Sequence, residues 1–317
     1  MTISHSPLGI RGKSCSLSRM DRIFAIIFLF TAFAASAQDP SDDTRGLGGL
    51  AEVELSALSN SNLSPLGKAA LSIEPTLWKH AETSNFIYHF FHGFIATPVS
   101  VEAEYYYRVI AKDLGKDTTQ WEHKSHIYIF EKPADWAEFQ KKASLEPWTG
   151  GIHSGDDLFI QRNPEYKFKG RTLGHEITHL VVHRFFGSGV PIWLNEGYAE
   201  YASILGYAAY QRARNYISKP ASDPIAPEDF MPLEKLADAM AYPADVKEVR
   251  VFYAESEKLV RFLIKDDTQK FVEFLDAMSK GNKMETALSK AYGGRFTGVG
   301  GLENEFKIYA TRDYVAK

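Results

Sequence analysis

Two short stretches constrain this chain more than anything else in it: Leu173-Gly174-His175-Glu176-Ile177-Thr178-His179-Leu180-Val181 and Pro191-Ile192-Trp193-Leu194-Asn195-Glu196-Gly197-Tyr198-Ala199-Glu200-Tyr201. Residues four apart on an α-helix share a face, with Cβ atoms about 5–6 Å apart, so a helix lets the imidazoles of His175 and His179 reach one ion together. The apolar pattern points to that helix independently. Leu173, Ile177, Leu180, Val181 and Phe185 recur at helical spacing beside the histidine face, and Gly187, Gly189 and Pro191 end the run. A second helical run follows, with Trp193, Leu194, Tyr198, Tyr201, Ala202 and Leu205 as expected buried positions and Gly206 as its expected stop. Helices joined by so short a loop can fold back on one another, which lets Glu196 point at the histidine pair.

Two neutral imidazoles and one carboxylate leave a fourth position for water, the arrangement of a catalytic rather than a structural zinc site. Zn2+ is therefore the expected cofactor, with His175, His179 and Glu196 as its ligands. Glu176 follows the first ligand directly, so its side chain points to one side of the pair. Its expected role is general base, taking a proton from the attacking water and returning it to the leaving amine. Glu200, one turn beyond Glu196, is placed either to orient a ligand histidine or simply to face solvent. His183 extends the histidine series but lies about 12 Å along the axis from His175, too far to join the same ion. The metzincin pattern fails here, because Val182 and Phe185 stand where it needs glycine and histidine.

These two stretches resemble the gluzincin metallopeptidases, in particular the peptidase MA-like family of bacterial proteins. The second also resembles the third-ligand segment of zinc aminopeptidases, with a shorter interval of sixteen residues between His179 and Glu196. The resemblance implies zinc-dependent hydrolysis of peptide bonds, with a peptide or protein as substrate. It implies an α+β, zincin-like fold: a small mixed sheet, an active-site helix at the cleft floor and a helical C-terminal subdomain. In that family the last strand before the zinc helix lines the cleft and pairs with an extended substrate, a mode that gives main-chain affinity with little sequence specificity. A tyrosine followed three residues later by a small residue opens a later helix there and donates to the tetrahedral oxyanion. Tyr253, followed by Ser256, fits that pattern.

The ends of the chain bear on where such chemistry would take place. Arg11, Lys13, Arg19 and Arg22 precede the apolar run Ile23 to Ala35, and Ala35-Ser36-Ala37 offers a signal-peptidase site, so residues 1–37 read as a cleaved export signal, beginning at Met1 or Met20. The run is too short to span a bilayer comfortably, and no stable membrane span is expected after cleavage. A periplasmic or secreted location follows. Cys15, the only cysteine, falls in this leader, which leaves no thiol for a disulfide, a nucleophile or a metal. Removing residues 1–37 takes four of 36 basic and one of 40 acidic side chains, leaving a net charge of −7 that argues against nucleic acid as a partner.

The rest divides into a flexible segment over 38–70, a catalytic core over 71–217 and a helical C-terminal subdomain over 218–317. Asn85 to Phe91 and His126 to Phe130 read as strands, and Gly150 to Ser154 with Leu158 to Ile160 as a last strand or hairpin before the zinc helix. Val99 to Leu114 and Pro133 to Ala143 read as helices, with further helices over Val251 to Ile264, Thr268 to Ser279, Lys283 to Ala291 and Leu302 to Arg312. Pro220, Pro224, Pro227 and Pro232 mark a loop that is expected to border the cleft. His153, on the strand nearest the zinc helix, is either a substrate contact or an ordinary strand residue. His80, His89, His92, His123 and His126 lack ligand spacing and read as structural. Two other readings stand beside the peptidase: a non-hydrolytic zinc-fold module that binds peptides or cell-envelope material, and a structural protein whose histidines merely face solvent.

Overall fold

A computed structural model of the protein describes residues 50–312 apart from 121–122, 147–148, 163–170 and 217–223. The expected leader, with Met20, Cys15 and the cleavage point after Ala37, lies outside the described residues, as do 38–49, Ile217 and Pro220. In chain order the elements are α1 (Pro65–Leu71), β1 (Lys79–Glu82), β2 (Phe86–Phe90), α2 (Gly93–Asp113), β3 (Ser125–Phe130), α3 (Pro133–Lys142), β4 (Gly151–Ser154) and β5 (Asp157–Gln161). The helices α4 (Thr172–Phe186), α5 (Ile192–Ala213), α6 (Leu233–Ala237), α7 (Val246–Asp266), α8 (Thr268–Ser279), α9 (Met284–Tyr292) and α10 (Gly298–Thr311) complete the described chain.

The five strands form one mixed sheet in the order β1-β2-β3-β5-β4, parallel along β2, β3 and β5, with β1 and β4 antiparallel at the edges. The parallel strands are apolar along almost their whole length because helices cover both faces of the sheet. Ile127, Ile129, Leu158 and Ile160 point to one face, where they join Tyr106 of α2 and Leu173, Ile177 and Leu180 of α4 in the main core. Tyr128, Phe130 and Phe159 point to the other, against Ala70 of α1 and Trp136 and Phe139 of α3. The expected α+β class holds: a small mixed sheet followed by a run of helices. No helix of the described residues is long and apolar enough to cross a membrane.

The structure adds or shifts elements at several points. Lys79-His80-Ala81-Glu82 carries little strand propensity, yet it pairs with β2 because that strand's edge would otherwise be open, and its charged residues suit a sheet edge. α2 begins at Gly93 rather than after Pro98, since burial of Ile95 and Ala96 outweighs the helix bond that the proline lacks. Residues 38–70 read as a mobile tail or a marginal helical lead-in; over 50–70 Val53 bridges His80, and Ser64 caps the short α1 through the Gly67 N–H. Finally, Gly206 does not stop α5. A Cβ there would come within 3.0 Å of the Tyr106 ring, and one at Gly174 of α4 within 2.7 Å, so the two glycines make room for a buried aromatic wedge between the helices.

Within the helical half, Glu255 of α7 is completely buried and accepts the Met231 N–H at 2.9 Å, while its other oxygen has no partner. Burial pushes its pKa up to about 8 from an ordinary 4.5. The folded protein therefore keeps a proton on Glu255 where the unfolded chain has lost it, and this group's contribution to stability falls as pH rises from about 4.5 to about 8. Glu255→Gln has no such proton to lose. In urea unfolding it is expected to gain on the parent by a few kcal/mol between pH 5 and pH 8.5. A gap that stays constant with pH would show that the carboxyl is already ionised in the fold.

Candidate metal centre

α4 and α5 bring together His175, His179 and Glu196, whose ligand atoms all lie within 4.8 Å of one another. Nε2 of His175 lies 3.0 Å from Nε2 of His179, and Glu196 Oε2 lies 3.2 Å from the first and 3.5 Å from the second. Ligands at about 2.0–2.2 Å from a tetrahedral zinc would be separated by about 3.3–3.6 Å, so this triangle has nearly the size of one face of that coordination polyhedron. Glu196 Oε2 is buried and faces only the two imidazole Nε2 atoms among the contacts described, as a carboxylate oxygen sharing a cation with them would. The donor set of two imidazoles and a carboxylate suits zinc, and the residues fit the group.

The electrostatics of the cluster show how tightly these groups are coupled. Burial opposes charge on His175, but the carboxylates of Glu196 and Glu200 outweigh it and hold the imidazole pKa well above its ordinary value. Burial likewise opposes charge on Glu196, and there His179 and His175 prevail, holding its carboxyl well below the usual range. Glu200 Oε1 lies 3.2 Å from Nδ1 of His175, and its other oxygen lies 3.3 Å from the Arg171 guanidinium. It therefore stands behind the first histidine, on the side away from Glu196.

Glu176 lies beside the triangle, against the edge strand. The Gly151 backbone passes so close that a Cβ there would sit 3.2 Å from Glu176 Cγ, and the His153 N–H donates to the carboxylate. Burial raises the Glu176 pKa despite the nearby imidazoles of His175 and His179. A carboxylate so placed gains basicity without losing its orientation. The His153 ring is 6.3 Å from that of His179 and 5.5 Å from that of His183. Neither His153 nor His183 belongs to the three-residue cluster.

Tyr253 reaches this cluster only through another residue. Its ring stacks on that of Tyr242 at 6.1 Å and its hydroxyl donates to the Tyr242 hydroxyl, which in turn donates to Glu196 Oε1 at 2.6 Å. Tyr242 was not legible in the sequence. It lies in the loop between α6 and α7, is 52% exposed and belongs to no periodic pattern. The proline-rich loop expected to border the cleft, marked by Pro220 to Pro232, ends before α6 and so did not take it in.

Comparison with known proteins agrees with this arrangement at the level of family. The curated proteins contain no match to the chain. The profile of the peptidase MA superfamily matches residues 108–311, a span that takes in α4, α5 and all the helices after them. With well over half of its length covered by that profile, and with its histidine pair and glutamate gathered at one point, the chain belongs to the peptidase MA superfamily.

Proposed function

We propose that the protein is an exported zinc metallopeptidase of the gluzincin type, with His175, His179 and Glu196 as metal ligands and Glu176 as general base. The observation that carries this reading is the convergence of two imidazole nitrogens and one otherwise unpartnered carboxylate oxygen within 4.8 Å. Zinc held there would acidify a water and polarise the scissile carbonyl. Glu176, fixed by the His153 N–H, takes the proton from the attacking water and delivers it to the leaving amine. The substrate lies extended along β4, whose outer edge pairs with no other strand among the described residues. Tyr253 and Tyr242 stand in line behind Glu196, and the resemblance gives the oxyanion-donor role to Tyr253. Export rests on the leader at residues 1–37.

The test is metal content together with hydrolysis of a mixed peptide library. The expected result is one equivalent of zinc and cleavage that a chelator abolishes and zinc restores. Stoichiometric zinc without cleavage would favour the peptide-binding module instead, and failure to take up zinc would favour a structural role. Tyr242→Phe removes the hydroxyl that fixes Glu196 Oε1 and is expected to weaken zinc binding about ten- to a hundredfold, read by competition with a chromophoric chelator. Unchanged affinity would show that this hydroxyl does not orient the ligand.

A further inference from the structure

Residues 50–64 form a strap along the sheet. The Val53 N–H donates to the His80 carbonyl on β1 at 2.8 Å, and the Ser59 N–H and hydroxyl both donate to Glu82 Oε2, at 3.0 and 2.7 Å. Asn60 Nδ2 donates to the Lys124 carbonyl just before β3, and the Ser64 hydroxyl donates to Asp157 on β5. The strap is thus tied across the sheet, yet Leu58 is its only buried side chain. A segment held by polar contacts with little apolar burial is among the first to open.

A row of histidines lies next to it, on the sheet face that carries Tyr128. His80 Nδ1 is 2.8 Å from His89 Nδ1, and His89 Nε2 is 2.9 Å from His126 Nδ1, so the row joins β1, β2 and β3. His89 is fully buried against the Tyr128 ring, and His126 is 2% exposed. His126 borders the same cavity as Asn60, Asn62 and Ser64, so the strap forms one wall of the space on this side of the row.

The row has a fixed capacity for protons, whichever tautomers it holds. A neutral imidazole has one N–H and one lone pair, so neutral His89 donates to one neighbour and accepts from the other. One added proton, on any of the three rings, still leaves an N–H opposite a lone pair at both contacts. Two added protons cannot. Whichever two rings carry them, one contact sets N–H against N–H at 2.8 or 2.9 Å.

The surroundings offer little to offset that charge. Glu54 of the strap faces His80, and His123 and Asp156 face His126, but Asp156 is already held by His123 Nε2 at 2.9 Å and by Arg184 of α4 at 2.7 Å. Glu82 pairs with Lys124 at 3.1 Å, and Asp157, opposite His126, accepts from Ser64. Burial holds all three imidazoles below their ordinary 6.5, His126 at about 4. We propose that the row is an acid-sensitive clasp: when two protons enter it, the strap lets go of the sheet, water reaches the charged rings, and the edge of β1 that Val53 covers is bared while the rest of the fold stands.

The sign follows from the value in water. With the strap off, the rings titrate near 6.5; with it on, they resist protons to lower pH, so the attached state loses ground as pH falls below 6.5. For His126 alone, the balance tilts toward release by about a hundredfold at pH 4.

The test follows strap and fold separately in the full chain as pH is lowered. A pH-insensitive dye on Ser61→Cys, an exposed strap position, in a Cys15→Ser background reports the strap by anisotropy, and far-UV circular dichroism reports the fold. Anisotropy is expected to fall between about pH 6 and about pH 4 with the dichroism unchanged. His80→Phe leaves only two buried rings to take both protons, and His89→Phe removes both contacts; each is expected to move the fall at least about one pH unit lower. His80 is only half-buried, so its variant should fold even where His89→Phe does not. A midpoint that stays in place in His80→Phe, or anisotropy that falls only together with the dichroism, would overturn the proposal.

Discussion

Replacing Glu176 by glutamine is expected to lower kcat/KM for peptide hydrolysis by about a hundred- to ten-thousandfold, the range general acid–base catalysis supplies, while zinc content and folding stay as they are. Glutamine has the volume of the glutamate and its carbonyl oxygen can still accept the His153 N–H, so the packing against Gly151 is kept. What it lacks is a lone pair basic enough to take a proton. Because Glu176 stands outside the triangle of His175, His179 and Glu196, the loss should fall on kcat and leave metal affinity alone. Loss of zinc in the variant would move Glu176 into the ligand sphere and remove its role as base. Cleavage that persists undiminished would assign the activity to some other group.

The part of the protein that could be read in advance is the part written locally. Histidines at helical spacing, an apolar stripe beside them and glycines after them specify α4 through backbone geometry alone, and the structure runs it from Thr172 to Phe186, ending at Gly187 with φ 76°. The parallel strands were legible for the same reason: Phe86 to Phe90 and Ser125 to Phe130 are rich in aromatic and β-branched residues. What stayed hidden depends on neighbours distant in sequence. Lys79 to Glu82 is a strand because β2 is there to pair with. Gly206 is helical because Tyr106, a hundred residues earlier, needs the space. Tyr242 meets Glu196 across 46 residues, a distance fixed by how α7 packs and not by any spacing in the chain. The histidines at 80, 89 and 126 lack ligand spacing in the sequence, and only strand pairing aligns them.

Gly197→Ala is the sharpest test of how the ligand helix is held. In an isolated helix this change would stabilise by about 1 kcal/mol, since alanine is the better helix former. In this fold a Cβ on Gly197 would stand 2.4 Å from the Ser256 carbonyl oxygen and 3.0 Å from a Val260 methyl, both on α7. The nearer obstacle is backbone, which cannot rotate away, so α5 and α7 must part. Overpacking of this kind costs about 1–3 kcal/mol or more and outweighs the propensity gain, which predicts a Tm lower by several degrees. Glu196 is the adjacent residue and Tyr253 lies on the displaced helix, so zinc affinity should fall together with stability. Gly300→Ala is the control: it lies in α10 with open space where its Cβ would go, and it is expected to leave Tm unchanged or higher. If both variants prove equally stable, α5 and α7 do not cross as closely as the structure has them, and the position of Glu196 relative to the two histidines loses its main support.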